Sequence, residues 1–418
     1  MGRGVYQIGW AARAGKGVMI DELASIEAPE LASDRSGSKG SRRPRVLVLT
    51  PFYPSIKDPS QGSFIAEPLA HIGELADCET IVVQPFYRRN AGPVPDPKVE
   101  LHKYASFPTN LGLAAAGELL GASLISTVTR RHRRAPFDLI HAHAALPCGL
   151  AAARLSKRLS IPFVISVHGL DAFFEKQGGV VGMWCKRVAT TVYCSASEVI
   201  CISHKVREQV SREIERNVTV IYNGVDTGLF SPGVESDLPK IVLSVGNLIP
   251  IKGHALLLRA FAQISAAARD WTLEIIGDGP ERGNLGALAR SLGISNRVKF
   301  HGRQSRSKVA DAMERCAIFA LPSAYEGLGC VYLEAMSCAK PVIGCYGQGI
   351  DEIIEHGETG MLVPPNDELY LRDVMLALVQ NEELRKKIGT VARKAILGNY
   401  TLSHQARKLA EVYRWTAA

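Results

Sequence analysis

Pro322-Ser323-Ala324-Tyr325-Glu326-Gly327-Leu328-Gly329-Cys330-Val331-Tyr332-Leu333-Glu334-Ala335-Met336 follows directly on the apolar run Ala317 to Leu321. The run reads as a buried strand, the glycines as a loop and the remainder as a helix. Gly327 and Gly329, on either side of Leu328, let backbone amides come close to a ligand. A helix starting near Cys330 offers unpaired N–H groups and the positive end of its dipole to a diphosphate. Glu334, about one turn in, is placed to accept from the vicinal hydroxyls of a ribose, and Glu326, ahead of the glycines, from a sugar on the other side. Taken singly, one carboxylate would serve as a helix cap and the other as a solvated face. Framing the glycines together, they point to a ligand.

The same texture extends in both directions. Apolar runs at Val46–Leu49, Thr80–Val83, Leu139-Ile140, Phe163–Val167, Val199–Ile202 and Val218–Ile221 are separated by segments of helical length. The pattern breaks at Phe230-Ser231-Pro232-Gly233 and restarts with Ile241–Val245, Trp271–Ile276, Val298–His301, Ala317–Leu321, Pro341–Gly344 and Met361–Val363. Continuous β-branched runs alternating with helices predict parallel sheets covered on both faces. The fold class is therefore α/β with two doubly wound domains, and ligands belong in the crevice at the carboxyl ends of the strands. Residues 1–44 read as a flexible tail, 45–232 and 233–395 as the two domains, and 396–418 as a terminal helix packing back on the first.

Composition agrees. At 418 residues, with 46% hydrophobic and 22% charged residues, the chain can bury two cores and is neither collagenous nor disordered. A net charge of +8 makes anionic partners plausible. Nine cysteines, with no C-x-x-C pair and no zinc spacing to histidine, predict no metal site and a reducing, cytoplasmic setting. The first residues lack the apolar core of a signal peptide. Thr50-Pro51-Phe52-Tyr53-Pro54 stands where G-x-G-x-x-G would open a dinucleotide site, and the lone Gly277-Asp278-Gly279 reads as a turn. No basic and aromatic interleaving suggests nucleic acid.

With these motifs in place, the chain resembles the retaining GT-B glycosyltransferases of the large E-x7-E group, which includes bacterial lipopolysaccharide and exopolysaccharide transferases. Glu326 and Glu334 match the signature. Gly246-Asn247-Leu248-Ile249-Pro250-Ile251-Lys252-Gly253 looks like its donor loop, Asn223-Gly224-Val225-Asp226 like its N-G-V-D, and His168-Gly169-Leu170-Asp171 like its H-G-x-D. Gly62-Ser63-Phe64 looks like its glycine turn near the acceptor. The resemblance implies two Rossmann-like domains facing a cleft, with the acceptor on the first and a nucleoside diphosphate sugar on the second.

It further implies that Glu326, His168 and Lys252 act in transfer. The donor would be held by Glu334, Gly246, Asn247, Lys252, Gly327, Leu328, Gly329, Cys330 and Arg303, and the acceptor would meet Gly62, Ser63, His143 and Asp171. No cofactor and no metal is implied. Asn247 stands where the family commonly has a second cation; either Lys252 and the helix dipole suffice, or Arg303 or Arg306 compensates. The expected function is transfer of a glycosyl group to a hydroxyl in surface polysaccharide or glycolipid synthesis. The alternatives are a non-catalytic nucleotide-sugar-binding scaffold and a sugar-nucleotide epimerase on the same fold. The apolar segment Leu111–Val128 runs into Arg130-Arg131-His132-Arg133-Arg134, with Arg88-Arg89 in the same domain. Cations beside an apolar helix suit anionic lipid, so contact with the inner face of the membrane is a further expectation.

Overall fold

The computed structural model describes residues 42–418 apart from 57, 59–60, 88–93, 95, 97, 107–112, 170–178, 217 and 234–238. Most of the expected tail, Asp171 and Arg88-Arg89 lie outside the described residues. In the first half the elements are β1 (Arg45–Thr50), α1 (Ser63–His71), β2 (Asp77–Pro85), β3 (Val99–Tyr104), α2 (Leu113–Arg134), β4 (Leu139–His143), α3 (Leu150–Leu159), β5 (Phe163–Val167), α4 (Gly179–Ser195), β6 (Glu198–Cys201), α5 (His204–Ser211) and β7 (Thr219–Val220). The second half holds β8 (Ile241–Val245), α6 (His254–Gln263), β9 (Thr272–Ile276), α7 (Arg282–Ser291), β10 (Val298–Gly302), α8 (Arg306–Arg315), β11 (Ile318–Ala320), α9 (Cys330–Ser337), β12 (Val342–Cys345), β13 (Met361–Val363), α10 (Glu368–Gln380), α11 (Glu382–Asn399) and α12 (Leu402–Ala417).

The strands form two sheets, ordered β3-β2-β1-β4-β5-β6-β7 and β10-β9-β8-β11-β12-β13, with every pairing parallel. The central strands are buried along their whole length, as in β4, β5 and β8, because helices cover both faces. In each sheet the order reverses beside the first strand, between β1 and β4 and between β8 and β11. The crevice for a ligand opens there.

One strand has no apolar run to announce it. β3, Val-Glu-Leu-His-Lys-Tyr, mixes polar residues among apolar ones because it is an edge strand, partly open to solvent. The helix expected at Leu111–Val128 extends through the arginines to Arg134. Its apolar side (Ala116, Leu120, Leu124 and Val128) is buried in the domain, and Arg131 is tied to Glu79 and Glu100. Among the described residues no helix is long and apolar enough to cross a membrane.

The chain crosses between the domains twice. The first crossing lies between β7 and β8. The second comes after α11, where Tyr400 breaks the helix and Thr401 caps the next by accepting from the His404 amide. Here Val225 donates to the Tyr400 carbonyl at 2.9 Å and accepts from Leu402 at 3.2 Å. α12 then lies against the first sheet, its Ala406, Leu409, Ala410 and Tyr413 packed with Val46, Val48, Leu139 and Val164.

Candidate functional site

β11 ends in the loop that the sequence marked out, and α9 begins at Cys330. Its N-cap is Gly329 at φ 83°, and no side chain caps the helix, so Glu326 is not a capping residue and the first amides are left for a ligand. The glycines are fixed by packing as well. A Cβ on Gly327 would stand 2.8 Å from the His168 carbonyl oxygen, and one on Gly329 would stand 2.6 Å from the Tyr332 ring.

Glu326 is buried. Its Oε1 accepts from Lys252 Nζ at 2.5 Å and from Ser323 Oγ at 3.3 Å, and its amide donates to Gln348 Oε1 at 3.1 Å. Lys252 comes from the turn after β8, whose next residue, Gly253, is left-handed at φ 73°. A Cβ on Gly253 would meet the Pro322 carbonyl at 2.1 Å, so the close approach of the two loops requires glycine here, and the Ala324 amide donates to the Ile251 carbonyl beside it at 2.8 Å. The lysine expected at the diphosphate is thus paired with the glutamate expected at the sugar. A buried pair of this kind costs desolvation on both sides and holds through geometry and added hydrogen bonds.

Glu334 is also buried, 3% exposed, on the inner face of α9. One oxygen accepts from Arg306 Nη1; the other, Oε2, has no hydrogen-bond partner among the described residues. Arg306 in turn forks onto Glu67 of α1, at 3.0 Å from Nε and 2.9 Å from Nη2. Burial alone would lower the Arg306 pKa, but Glu334 and then Glu67 raise it above its ordinary value. Glu67 is raised, first by burial, against the lowering effect of Arg306. Arg303 pairs with Asp58, also from the first domain. Both arginines considered as substitutes for the missing cation at Asn247 are therefore already held by carboxylates.

His168, at the end of β5, hydrogen-bonds through Nε2 to His143 Nδ1 at 3.0 Å and lies 4.9 Å from the Phe64 ring. His143 stacks on His168, ring centroids 5.2 Å apart, and lies tilted against His141, which bonds to Ser166 at 2.8 Å and to Tyr413 of α12 at 2.7 Å. Burial pushes His141 and His168 down to about 3, and His143 well below its ordinary value. All three are neutral at pH 7.

One cleft of about 720 Å³ brings together Gly62, Ser63, His168, Gly246, Asn247, Lys252, Arg303, Glu326, Gly327, Leu328, Gly329, Cys330 and Glu334. His143, expected at the acceptor side, is not among the residues lining it; 5% exposed, it is hydrogen-bonded to His168, which does line the cleft. The Cys330 thiol is pushed up to about 12, by burial and then by Glu334, and stays protonated. Asn223 does more than turn the chain: it lines the cleft, donates to Cys330 Sγ at 3.3 Å and accepts from Gln405 of α12 at 3.3 Å. Gly277-Asp278 is a turn that also lines the cleft. Gly277 has φ 144°, and a Cβ there would stand 1.9 Å from the Gly246 carbonyl. Asp58 and Glu67 were not foreseen; each is an ordinary acidic residue until its arginine arrives from the other domain.

Two parallel α/β domains whose strand ends face one cleft define the GT-B architecture, shared with HepE of Anabaena in complex with UDP-glucose (TM-score 0.71, 22% identity, 89% of this chain and 99% of that one). Residues 230–395 match the family described as Glycosyl transferases group 1, and residues 74–229 match Glycosyltransferase Family 4. An uncharacterized glycosyltransferase of Methanocaldococcus jannaschii is 34% identical over 60% of this chain and 68% of its own length. The alpha-maltose-1-phosphate synthase of Mycolicibacterium smegmatis is 27% identical over 90% of this chain and 100% of its own. The chain belongs to the glycosyltransferases.

The buried histidines set a pH dependence of stability. Their folded pKa values lie below the ordinary 6.5, so between those values the unfolded chain holds more protons. Stability is full above about pH 6.5 and falls as the pH is lowered through 6 to 5. Urea unfolding at pH 7.5, 6.5 and 5.5 should show a progressively lower midpoint, and a flat profile would mean that these histidines are not neutral and buried.

Proposed function

We propose that the protein is a retaining, metal-independent glycosyltransferase. It moves a glycosyl group from a nucleoside diphosphate sugar to an acceptor hydroxyl of a surface glycan or a lipid-linked glycan. The observation that carries this reading is the placement of Glu326 and Glu334 on opposite sides of the Gly327–Gly329 loop and the start of α9, in one cleft. The diphosphate takes the loop and helix amides, whose dipoles are already oriented for the charge that develops as the glycosidic bond breaks. Lys252 exchanges part of its bond to Glu326 for a phosphate oxygen and supplies a positive charge there. Glu334 Oε2 accepts from the ribose. Glu326 accepts from the sugar and stabilises positive charge at the anomeric carbon, and His168 borders the sugar from the first domain.

The two glutamates are separable. Glu334→Gln should weaken free nucleoside diphosphate and intact donor alike, by roughly 1.5 to 3 kcal/mol. Glu326→Gln should not weaken free-nucleotide binding, because it loses only a sugar contact and releases Lys252, its ion-pair partner, toward the diphosphate, while it should cut single-turnover transfer by at least about tenfold. Calorimetry with UDP, ADP and GDP, followed by transfer assays with the matching sugars, checks this; equal loss of nucleotide binding in both variants refutes the assignment. Donor turnover without an acceptor product would favour the epimerase, and nucleotide binding without either reaction the scaffold.

Metal independence follows from giving the leaving-group charge to Lys252 and the amides. Turnover should survive EDTA; loss restored by Mg or Mn ions would place a metal in the reaction. Membrane contact is read from Arg130, Arg133 and Arg134, exposed at the end of α2. The protein should float with anionic but not neutral liposomes at low salt, and a triple Ala variant should lose the difference; no flotation, or unchanged flotation, removes this partner.

A further inference from the structure

Glu67 belongs to the first domain, yet its carboxylate ends inside the contact between Arg306 and Glu334. The guanidinium is held on three sides. It forks onto Glu67, donates to Glu334 Oε1, and lies over the Phe230 ring at 4.7 Å from the centroid. The three charged side chains are largely buried, 24%, 18% and 4% exposed for Glu67, Arg306 and Glu334. Two carboxylates share one cation, and the single oxygen left over is Glu334 Oε2, in the wall of the cleft.

We propose that Glu67 and Arg306 are positioning residues that make the donor site select ribose over deoxyribose; the inference rests on reading Glu334 as the ribose ligand. A carboxylate bonded through one oxygen to a guanidinium that cannot shift is not able to swing away. Its second oxygen is presented at one place, as an anionic acceptor already out of water. A ribose hydroxyl satisfies it. A ligand lacking that hydroxyl leaves it buried and unmatched, which is the most discriminating arrangement a polar site offers. Without Glu67 the guanidinium loses both bonds of its fork, and Glu334 gains freedom to turn toward solvent when the hydroxyl is missing. Because Glu67 comes from the opposite domain, selection at the donor's ribose depends on the acceptor domain being in place against it.

The experiment compares affinities of UDP, ADP and GDP, and of their 2′-deoxy and 3′-deoxy forms, for the full chain by calorimetry. In the wild type one deoxy form of the nucleotide bound best should bind at least about tenfold more weakly. Glu67→Gln, Glu67→Leu and Arg306→Lys should reduce that ratio to less than about threefold, by raising affinity for the deoxy form, whose buried mismatch is relieved, and lowering it for the ribose form, whose acceptor is no longer held in place. Thermal melting of each variant guards against misfolding, and a general loss of structure would weaken both forms together. Glu334→Gln serves as the reference. If it keeps the wild-type ratio, or if the wild type shows none, Glu334 does not hold the ribose. If Glu334→Gln abolishes the ratio while all three other variants keep it, the ribose reading stands and the role given to Glu67 and Arg306 is wrong.

Discussion

Gly327 is squeezed between two stretches of backbone, and the cleft takes its shape from that contact. On one side is the His168 carbonyl of the first domain, 2.8 Å from where a Cβ would be. On the other, Gly349 lies so close that its own Cβ would fall 1.8 Å from the Gly327 carbonyl. Ser203, the cap of α5, donates to that carbonyl at 2.6 Å. His168 of the first domain, the glycine loop and the segment after β12 are therefore set at a spacing that only hydrogen atoms can occupy. Everything proposed for Glu326, Lys252 and α9 depends on the loop being held there.

The cleft is also electrostatically settled before any ligand enters. Lys252 answers Glu326, Arg303 answers Asp58, and Arg306 answers both Glu67 and Glu334. In the proposed reading, an incoming diphosphate would find helix amides unused but cations already engaged, so its binding would be an exchange of partners. This changes how the absent cation at Asn247 should be regarded. Among the described residues the cleft is lined by three cations, Lys252, Arg303 and Arg306, and what limits their use is the carboxylates beside them, not their number.

Much of this was legible in the sequence. Buried parallel strands announce themselves by unbroken apolar runs, and the E-x7-E spacing placed both glutamates around a strand-loop-helix unit because strand, turn and helix are each local. β3 escaped because an edge strand needs no such run. The pairs Arg306–Glu67 and Arg303–Asp58 escaped for a different reason: they join residues 239 and 245 apart, each in a different sheet's territory, with no periodicity to link them. His143, expected at the acceptor side, is not in the cleft lining but bonds to His168, which is; a strand end fixes a side chain's neighbourhood but not which of two neighbouring side chains faces the cleft.

The second crossing of the chain, at Tyr400 to Leu402, gives the molecule a mechanical property. A single connection would let two domains swivel, tilt and slide. Two connections, one between β7 and β8 and one hooked to Val225, leave one easy degree of freedom, rotation about the line through both. In the structure the two domains are met, with Glu67 on Arg306 and the His168 carbonyl against Gly327.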